Sequence, residues 1–209
     1  MKDDDQHASS MMSSPAVRSE RLDLQTMSLE LMEALLAGDR ERAQPLAGYP
    51  IPGDWPTGLE STLRFRIAIA RKLPKALPLL LRAMVLGSDP DVVVGRIGFH
   101  GPVDDAGMLE IGYEVFPAFR RQGYAREAVL AMFGWALMDP AVTRFRATVS
   151  PGNAPSRRLV AGLGFVEVGS QWDEDDGEET IFERDAGPLR WELTPAQQRQ
   201  FGTGWRPCR

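Results

Sequence analysis

A basic loop that contains a glycine lies between a predicted strand and a predicted helix near the middle of the chain. It reads Arg120-Arg121-Gln122-Gly123-Tyr124-Ala125 and is followed by Arg126. The first turn of a helix exposes unpaired N–H groups and carries the positive end of the helix dipole. Glycine lets the backbone approach a ligand without a Cβ in the way, and the arginines add positive charge. The pattern therefore predicts a cradle for an anion such as a pyrophosphate.

The segments on either side of the loop are the elements that must position it. Before the loop, Met108–Val115 alternates in the period of a strand. After it, apolar residues recur with the spacing of an amphipathic helix. This stripe consists of Ala125, Ala128, Val129, Met132, Phe133, Ala136 and Leu137. The unit is thus a strand, a short basic loop and a helix.

Three stretches resemble one protein family, and the resemblance covers about residues 19–184. Arg120-x-x-Gly123-x-Ala125 is similar to the Q/R-x-x-G-x-G/A signature of the GNAT acetyltransferases. The run that begins at Asn153-x-x-Ser156 and ends in Gly-Phe resembles the last helix of that family and the strand that follows it. Glu20-Arg21-Leu22 resembles the opening strand of the ribosomal-protein acetyltransferase branch.

The resemblance implies an α/β (α+β) fold with a mixed central sheet of about six to seven strands. The N-terminal part of that sheet would be antiparallel, a parallel pair in the middle would splay apart, and helices would cover both faces. Composition adds the ends of the chain: residues 1–18 are rich in Asp, Ser and Met and predict a disordered tail. The acetyltransferase domain would then span residues 19–185, followed by a C-terminal extension over 186–209.

Periodicity and turn residues locate the elements along the chain. The strands are predicted at residues 21–26, 79–86, 92–100, 108–115, 144–149, from 165 onward and at 180–184. Helices are expected after Ser28, at residues 59–73, after the basic loop and after Asn153, which is a suitable N-cap. Residues 45–58 hold four prolines and predict a loop. The strand at 144–149 should run parallel to that at 108–115, because a helix connects them.

Acetyl transfer to an amine requires a proton acceptor, because an alkyl amine is mostly protonated at neutral pH. Glu110 and Glu114 alternate on one face of the Met108–Val115 strand and are the candidate bases. Each could equally be an ordinary carboxylate on a half-exposed strand. The resemblance also implies that Val115 and Pro117 border the thioester and that Asn153 and Ser156 contact the pantetheine arm. Capping of the helix is an equally good account of Asn153.

One part of the family pattern is missing from the sequence. The usual general acid of the family is a tyrosine after the last helix, but no tyrosine follows Phe165, and the chain holds only Tyr49, Tyr113 and Tyr124. Either Ser170 or a water supplies the proton, or no side-chain acid is used. Loss of the acid is tolerable, since a thiol with a pKa of about 8.5 is a fair leaving group.

The sequence indicates the acceptor site less clearly than the cofactor site. In the family, the connection after the first strand often lines the acceptor pocket, which makes Tyr49, Asp54 and Trp55 weak candidates. The alternative for all three is a role as surface loop residues. The predicted acceptor is therefore an amine of either a small molecule or a protein N-terminus.

Composition excludes several other classes. The net charge of −5 argues against general nucleic-acid binding. The single cysteine, Cys208, permits no intrachain disulfide, and two histidines cannot build a histidine-rich metal site. The chain shows neither a membrane span nor a secretion signal, so a cytoplasmic monomer or homodimer is expected.

The sequence thus predicts an N-acetyltransferase that uses acetyl-CoA as co-substrate and transfers the acetyl group directly within a ternary complex. The alternative is a non-catalytic acyl-CoA-binding module that acts through a protein partner. A P-loop enzyme is disfavoured because no Lys-Ser/Thr follows the glycine, and a Rossmann dehydrogenase because the three-glycine fingerprint is absent.

Overall fold

The computed structural model describes residues 17–174 and 177–192. Its strands are β1 Val17–Arg18, β2 Leu22–Thr26, β3 Arg82–Leu86, β4 Asp89–Phe99, β5 Met108–Val115, β6 Arg144–Val149, β7 Val166–Asp173 and β8 Gly177–Asp185. Its helices are α1 Leu29–Leu36, α2 Arg40–Ala47, α3 Glu60–Lys72, α4 Leu77–Leu80, α5 Tyr124–Ala136, α6 Ala154–Gly162 and α7 Ala186–Glu192. Short 3-10 turns lie at Pro74–Ala76 and Pro117–Phe119.

The strands form one open sheet in the order β1-β2-β3-β4-β5-β6-β8-β7. Every neighbouring pair is antiparallel except β5 and β6, which are parallel and are connected through α5. β5 and β6 pair only at residues 108–110 and 144–146, although both strands continue further. We call the resulting gap between residues 111–115 of β5 and 147–149 of β6 the splay. It confirms the predicted parallel pair that separates in the middle of the sheet.

Helices cover both faces of the sheet, as predicted. On the face we call the α5 face, Phe133 stacks on Phe145 with 3.9 Å between ring centroids, and α6 and α7 add Val160 and Leu189 to the same buried cluster. The opposite face, which we call the α3 face, is covered by α1 to α4 around a second cluster that includes Leu63. Alternation along the strands supplies both clusters, because successive side chains point to opposite faces.

Among the predicted boundaries that differ from the structure, two involve very short elements, which leave no periodic signal. The strands predicted at 92–100 and 180–184 also differ, since they span Asp89–Phe99 and Gly177–Asp185. The sheet has eight strands rather than six to seven, since residues 17 and 18, assigned by prediction to the tail, pair with β2. Val17 is only 2% exposed in this strand. The strand predicted at 79–86 begins at Arg82, because residues 77–80 form the single-turn helix α4 with Pro78 in its first turn.

Helix α2 lies partly within the predicted proline-rich loop. Asp39 caps it by accepting a hydrogen bond from the Arg42 amide, and Pro45 is accommodated within its eight residues. The Arg40 side chain then donates to the carbonyls of Ile51, Pro52 and Trp55 and so fixes the remaining loop. A Pro within a helix is usually unfavourable, which is why the sequence pattern favoured a loop here.

Some of the remaining predictions can be compared with the structure, and others concern residues outside the described part of the chain. The helices after Ser28 and Asn153 begin as expected, and both caps accept a hydrogen bond from a first-turn amide. The C-terminal extension begins with α7, whose Ala186 amide donates to the Thr143 carbonyl. The predicted tail up to residue 16, residues 175–176 and residues 193–209, including Cys208, lie outside the described residues. Among the described helices, none is both long and apolar enough to cross a bilayer.

Tyr49 provides a test of packing on the α3 face. Its side chain is buried, and its hydroxyl has no hydrogen-bond partner within the described residues. We expect Tyr49→Phe to raise the free energy of unfolding at pH 7 by about 1 kcal/mol, because an unsatisfied buried hydroxyl is costly. Urea titration of both proteins measures this difference, and a less stable variant would show that the hydroxyl is satisfied in solution.

The same residue predicts the direction of a pH effect. Burial raises the pKa of Tyr49 far above its ordinary value. Because ionising the buried phenol is unfavourable, the folded state keeps its full stability below about pH 10 and loses stability as the pH rises toward the folded-state pKa. Wild type should lose stability above about pH 10 more steeply than Tyr49→Phe.

Candidate functional site

The backbone of the basic loop adopts an unusual conformation just before α5. Gly123 caps the helix with φ of 85°, and Arg121 also has a positive φ, of 64°. A left-handed arginine is energetically unfavourable, and such residues cluster at ligand-binding loops. Left-handed residues at a helix N-terminus turn several N–H groups to one side, which is the arrangement of anion-binding nests. The side chains of Arg121 and Gln122 are exposed, so the loop is open to a ligand.

Arg21 holds this loop from behind. Its Nη2 lies 2.7 Å from Glu127 Oε2 in the first turn of α5, and its Nη1 donates to the Gln122 carbonyl at 3.1 Å. The guanidinium also lies 4.6 Å from the centre of the Tyr124 ring. The Ser19 hydroxyl donates to the other oxygen of Glu127 at 2.7 Å. The segment before β2 thus fixes both the loop and the start of α5.

Among residues 17–174 and 177–192, no strand pairs with the backbone groups of β5 that face the splay. The Glu110 carbonyl accepts from the His100 amide, and the Phe116 amide donates to the Val94 carbonyl. The even-numbered residues of β5 therefore point their backbone N–H and C=O groups toward β4, and the odd-numbered residues of β5 point theirs toward β6. Beyond the paired region, Ile111 and Tyr113 consequently direct their N–H groups into the splay. The Val115 carbonyl at its end accepts from the Arg120 side chain at 2.9 Å.

Three cross-strand pairs occupy the α3 face of β4 and β5 beside the splay. Arg96 pairs with Glu114, with 2.9 Å between Nε and Oε2. His100 pairs with Glu110, with 3.3 Å between Nδ1 and Oε1. The third pair, Gly98 with Gly112, lies between them and carries no side chains. The Arg96–Glu114 and His100–Glu110 side-chain pairs therefore lie on either side of a stretch without side chains.

Residues of α3 lie above this stretch and enclose a pocket of about 90 Å³. Its lining includes Thr62 and Arg66 together with His100, Arg96 and Gly112. Arg66 donates to the His100 carbonyl at 2.9 Å, and Arg96 reaches the Thr62 hydroxyl at 3.2 Å. Burial lowers the pKa of Arg66 to about 10, and the negative charge of Glu110 partly opposes this shift. The pocket thus combines cationic and anionic groups in a partly desolvated space.

On the opposite side of the splay, Tyr113 extends toward the first turn of α6. Burial raises the pKa of its phenol, and the neighbouring Ser156 hydroxyl offsets part of the rise. The Tyr113 hydroxyl is inaccessible to solvent and makes no hydrogen bond of normal geometry within the described residues. Ser170, one of the predicted proton donors, lies on the outer strand β7, which β8 and β6 separate from β5. It is therefore too far from the splay for that role.

The structure brings most predicted site residues to one edge of the sheet. Parallel strands end at the same edge, so the loop after β5 and the segment after β6, with Asn153 and Ser156, face each other across the splay. Arg120, Gly123, Ala125 and Arg126 belong to the same edge. Glu110 and Glu114 both lie on the α3 face, but each has a different partner. The Glu110 carboxylate also accepts from the Thr148 hydroxyl at 2.8 Å, across the start of the splay.

The three residues predicted as candidates for the acceptor site lie in different environments. Tyr49 is buried in the cluster on the α3 face, and Asp54 is exposed. Trp55 is buried and contacts Phe116, directly after β5, with 6.0 Å between ring centroids. Of these candidates, Trp55 is therefore the one that the structure places against the end of β5.

Sequence reasoning missed the roles of Arg21, His100 and Thr148 in this arrangement. Their contacts join residues more than thirty positions apart in most cases, such as Arg21 with Glu127 and Thr148 with Glu110. One local signal existed for His100: Arg96, Gly98 and His100 are alternate residues, so they lie on the same face of one strand. The pairing partner of that face could not be read from spacing.

Comparison with known proteins identifies the family to which these features belong. The sequence model described as "Acetyltransferase (GNAT) domain" matches residues 21–166. An uncharacterized N-acetyltransferase of Bacillus subtilis, YjdG, is 31% identical over 153 residues, which cover 72% of this chain and 89% of that protein.

Solved structures support the same fold. A putative ribosomal-protein-serine acetyltransferase from Vibrio cholerae superposes with a TM-score of 0.57 at 18% identity, covering 84% of this chain and 99% of its own. Microcin C7 self-immunity acetyltransferase MccE, solved in complex with acetyl-CoA and AMP, superposes with a TM-score of 0.55 at 15% identity, covering 83% of this chain and 98% of its own.

Proposed function

The chain belongs to the GNAT acetyltransferase family, and on that premise we propose that it transfers an acetyl group from acetyl-CoA to a primary amine. Transfer would be direct, within a ternary complex of the protein, acetyl-CoA and the amine. The observation that carries this proposal is the continuity of the splay with the basic loop. A gap lined by backbone N–H groups leads to an anion cradle at the same edge of the sheet.

Two parts of acetyl-CoA have a matching feature in this site. The loop from Arg120 to Arg126 would bind the pyrophosphate through its N–H groups and arginines. The pantetheine arm would lie in the splay, between Val115 and Pro117 on one side and Asn153 and Ser156 on the other. An amide-containing arm can pair with strand edges in the same way as a peptide.

The backbone of β5 offers the donors that the reaction needs. Attack on a thioester develops negative charge on the carbonyl oxygen, and preorganised N–H groups stabilise that charge. Ile111 and Tyr113 direct their N–H groups into the splay, deeper than the strand end at Val115 where the sequence predicts the thioester. We assign one of them to the carbonyl oxygen.

Glu110 and Glu114 remain the proposed carboxylates of the amine site, with different supporting observations. The Glu114 carboxylate is paired with the Arg96 guanidinium, 2.9 Å away, on the side of the strand toward β4. Glu110 lies where the splay begins and contacts both Thr148 and His100. These contacts favour Glu110 as the carboxylate that helps to deprotonate the amine.

Two measurements test the proposal. Calorimetry with CoA and acetyl-CoA tests the cradle, and thiol release from acetyl-CoA in the presence of small amines and peptides with free N-termini tests turnover. We expect saturable binding of both nucleotides and turnover with at least one class of amine. Binding without turnover on any amine would instead support a non-catalytic acyl-CoA-binding module. Absence of binding at millimolar ligand would contradict the proposal.

Arg21 should affect CoA binding although it lies behind the loop. Arg21→Ala removes the ion pair with Glu127, the hydrogen bond to Gln122 and the contact with the Tyr124 ring. We expect CoA affinity to fall about tenfold, because losing charge-assisted hydrogen bonds costs roughly 1.5–3 kcal/mol and frees a loop that must be ordered.

Arg18→Ala is the matched control for this variant. Arg18 lies three residues away, its side chain is 68% exposed, and its recorded ion pair is with Asp23 rather than with a residue of the loop. Its removal should change CoA affinity by less than about twofold, as is typical of surface ion pairs. Equal effects of the two variants would mean that the loop responds to overall charge rather than to the contacts of Arg21.

A further inference from the structure

His100 and Glu110 form a pair whose geometry has a chemical consequence. His100 Nδ1 lies 3.3 Å from Glu110 Oε1, and the Thr148 hydroxyl donates to the same oxygen at 2.8 Å. A carboxylate beside Nδ1 favours the tautomer that carries its proton there, so the acceptor lone pair lies on Nε2. A base whose other nitrogen is oriented by a carboxylate is the arrangement that activates nucleophiles in unrelated enzymes.

The opposite edge of the ring lies over the backbone beside the splay. A Cβ placed on Gly112 would lie 2.8 Å from His100 Nε2, so Nε2 occupies the space that any other residue at 112 would fill. The next residue, Tyr113, directs its N–H into the splay. His100 also lines the pocket on the α3 face, and its side chain is 41% exposed. Nε2 therefore lies in the pocket, one residue along β5 from a proposed carbonyl-binding group.

We propose that His100 Nε2 is the proton acceptor of the reaction and that Glu110 orients it; this inference rests on the proposed acetyl transfer. The amine nitrogen approaches from the pocket on the α3 face and forms a bond to the acetyl carbon. Its proton passes to Nε2, giving an imidazolium that the Glu110 carboxylate stabilises. The C–S bond breaks with its electron pair remaining on the CoA sulfur, and the imidazolium then returns its proton to solvent.

An imidazole suits this role better than either carboxylate. Its ordinary pKa of about 6.5 is closer to neutral pH than that of glutamate, and proton transfer is most efficient when the pKa of the base lies near the working pH. Within the described part of the chain, the charged groups recorded around His100 include Glu110 from β5, and Arg66 from α3 and Arg96 from β4, which line the same pocket. Arg96 is paired with Glu114, and Arg146, beside Glu110 on β6, is paired with Glu183.

The decisive experiment is the pH dependence of kcat at saturating substrates in two variants. His100→Asn removes the titrating nitrogen, whereas Glu110→Gln removes only the orienting charge. We expect His100→Asn to lower kcat at least about 100-fold and to abolish the protein-dependent rise of kcat between about pH 5 and 8. Glu110→Gln should lower kcat but keep the rise, displaced to lower pH because a nearby negative charge is lost.

The reverse pattern would overturn the inference. If Glu110→Gln abolishes the rise and His100→Asn retains it, Glu110 is the base and His100 only supports it. Two amines of different pKa distinguish a rise caused by the amine, which moves with the amine, from one caused by the protein. Wild-type turnover tests the proposed function separately, and CoA calorimetry on each variant shows that the fold and the cofactor site are intact.

A glycine pair gives an independent test of the position of the ring. Gly112→Ala places a methyl group against Nε2 and should lower kcat at least about tenfold with little change in CoA affinity. Gly169 lies on the outer strand β7, where an added methyl group would have no atom within 4 Å, so Gly169→Ala is the matched control and should leave kcat unchanged. Full activity of Gly112→Ala would contradict the proposed placement of Nε2.

Discussion

Replacing Gly123 with tryptophan is expected to lower CoA affinity by at least about 100-fold while the protein remains folded. A Cβ at this position would lie 3.4 Å from Arg21 Nη2, so the indole would displace the side chain that supports the loop. The anion would then lose at least two charge-assisted hydrogen bonds worth roughly 1.5–3 kcal/mol each. The left-handed backbone at Gly123, with φ of 85°, adds about 1–2 kcal/mol of strain for any residue with a Cβ. Calorimetric titration with CoA measures the effect on binding.

The control must carry the same backbone strain at a distance from the loop. Gly38 follows α1 with φ of 71° and has nothing within 4 Å of a Cβ position. Gly38→Trp should therefore lose a similar amount of stability, as measured by urea titration, and keep its affinity for CoA. If Gly123→Trp binds CoA as tightly as Gly38→Trp, the loop is an ordinary turn, and the pyrophosphate must bind elsewhere.

The second large effect is expected from Phe145→Ala, which should lower the free energy of unfolding by about 3–5 kcal/mol. Phe145 is fully buried, stacks on Phe133 at 3.9 Å and lies 6.3 Å from the Phe99 ring. It pairs with Leu109 at the closed end of the splay, so it connects β6 to both β5 and α5. A loss of this size is a large fraction of the stability of a typical domain.

Phe65→Ala is the matched control, since it removes the same atoms from α3 where the side chain is 54% exposed. We expect it to change the free energy of unfolding by less than about 0.5 kcal/mol. Chemical denaturation of the three proteins, with unchanged m-values, measures both differences. Comparable losses in the two variants would show that Phe145 is not part of a closely packed core.

The order of the central elements could be predicted because each of them carries a strong periodic signal. Met108–Val115 and Arg144–Val149 have the predicted bounds, and the crossover rule gave their parallel direction. The anion cradle was also predictable, because its residues are contiguous and lie at the start of a long helix. In these places local sequence determines local structure, and the family resemblance agrees with it.

Other features depend on contacts between distant parts of the chain. Two-residue β1 and four-residue α4 are too short to show a period, and α2 tolerates a proline that usually ends a helix. The partners of Glu110 and Glu114 come from β4 and β6, so spacing along β5 alone could not distinguish the two carboxylates. That no tyrosine follows α6, where the family usually has one, could be read from the sequence alone. That Tyr113 lies beside Ser156 could be seen only in the folded structure.

The short pairing of β5 with β6 also has a consequence for hydrogen exchange. Backbone amides without a strand partner exchange with solvent by small local openings, whereas paired amides in a core strand exchange only by larger ones. The Leu109 amide lies in the paired region of the parallel strands, but those of Ile111 and Tyr113 face the splay. Without ligand, the latter two should exchange faster than Leu109, although all three belong to one continuous strand. A molecule that hydrogen-bonds within the splay would slow exchange at Ile111 and Tyr113 in particular, and so connect the two parts of the sheet into one cooperative unit.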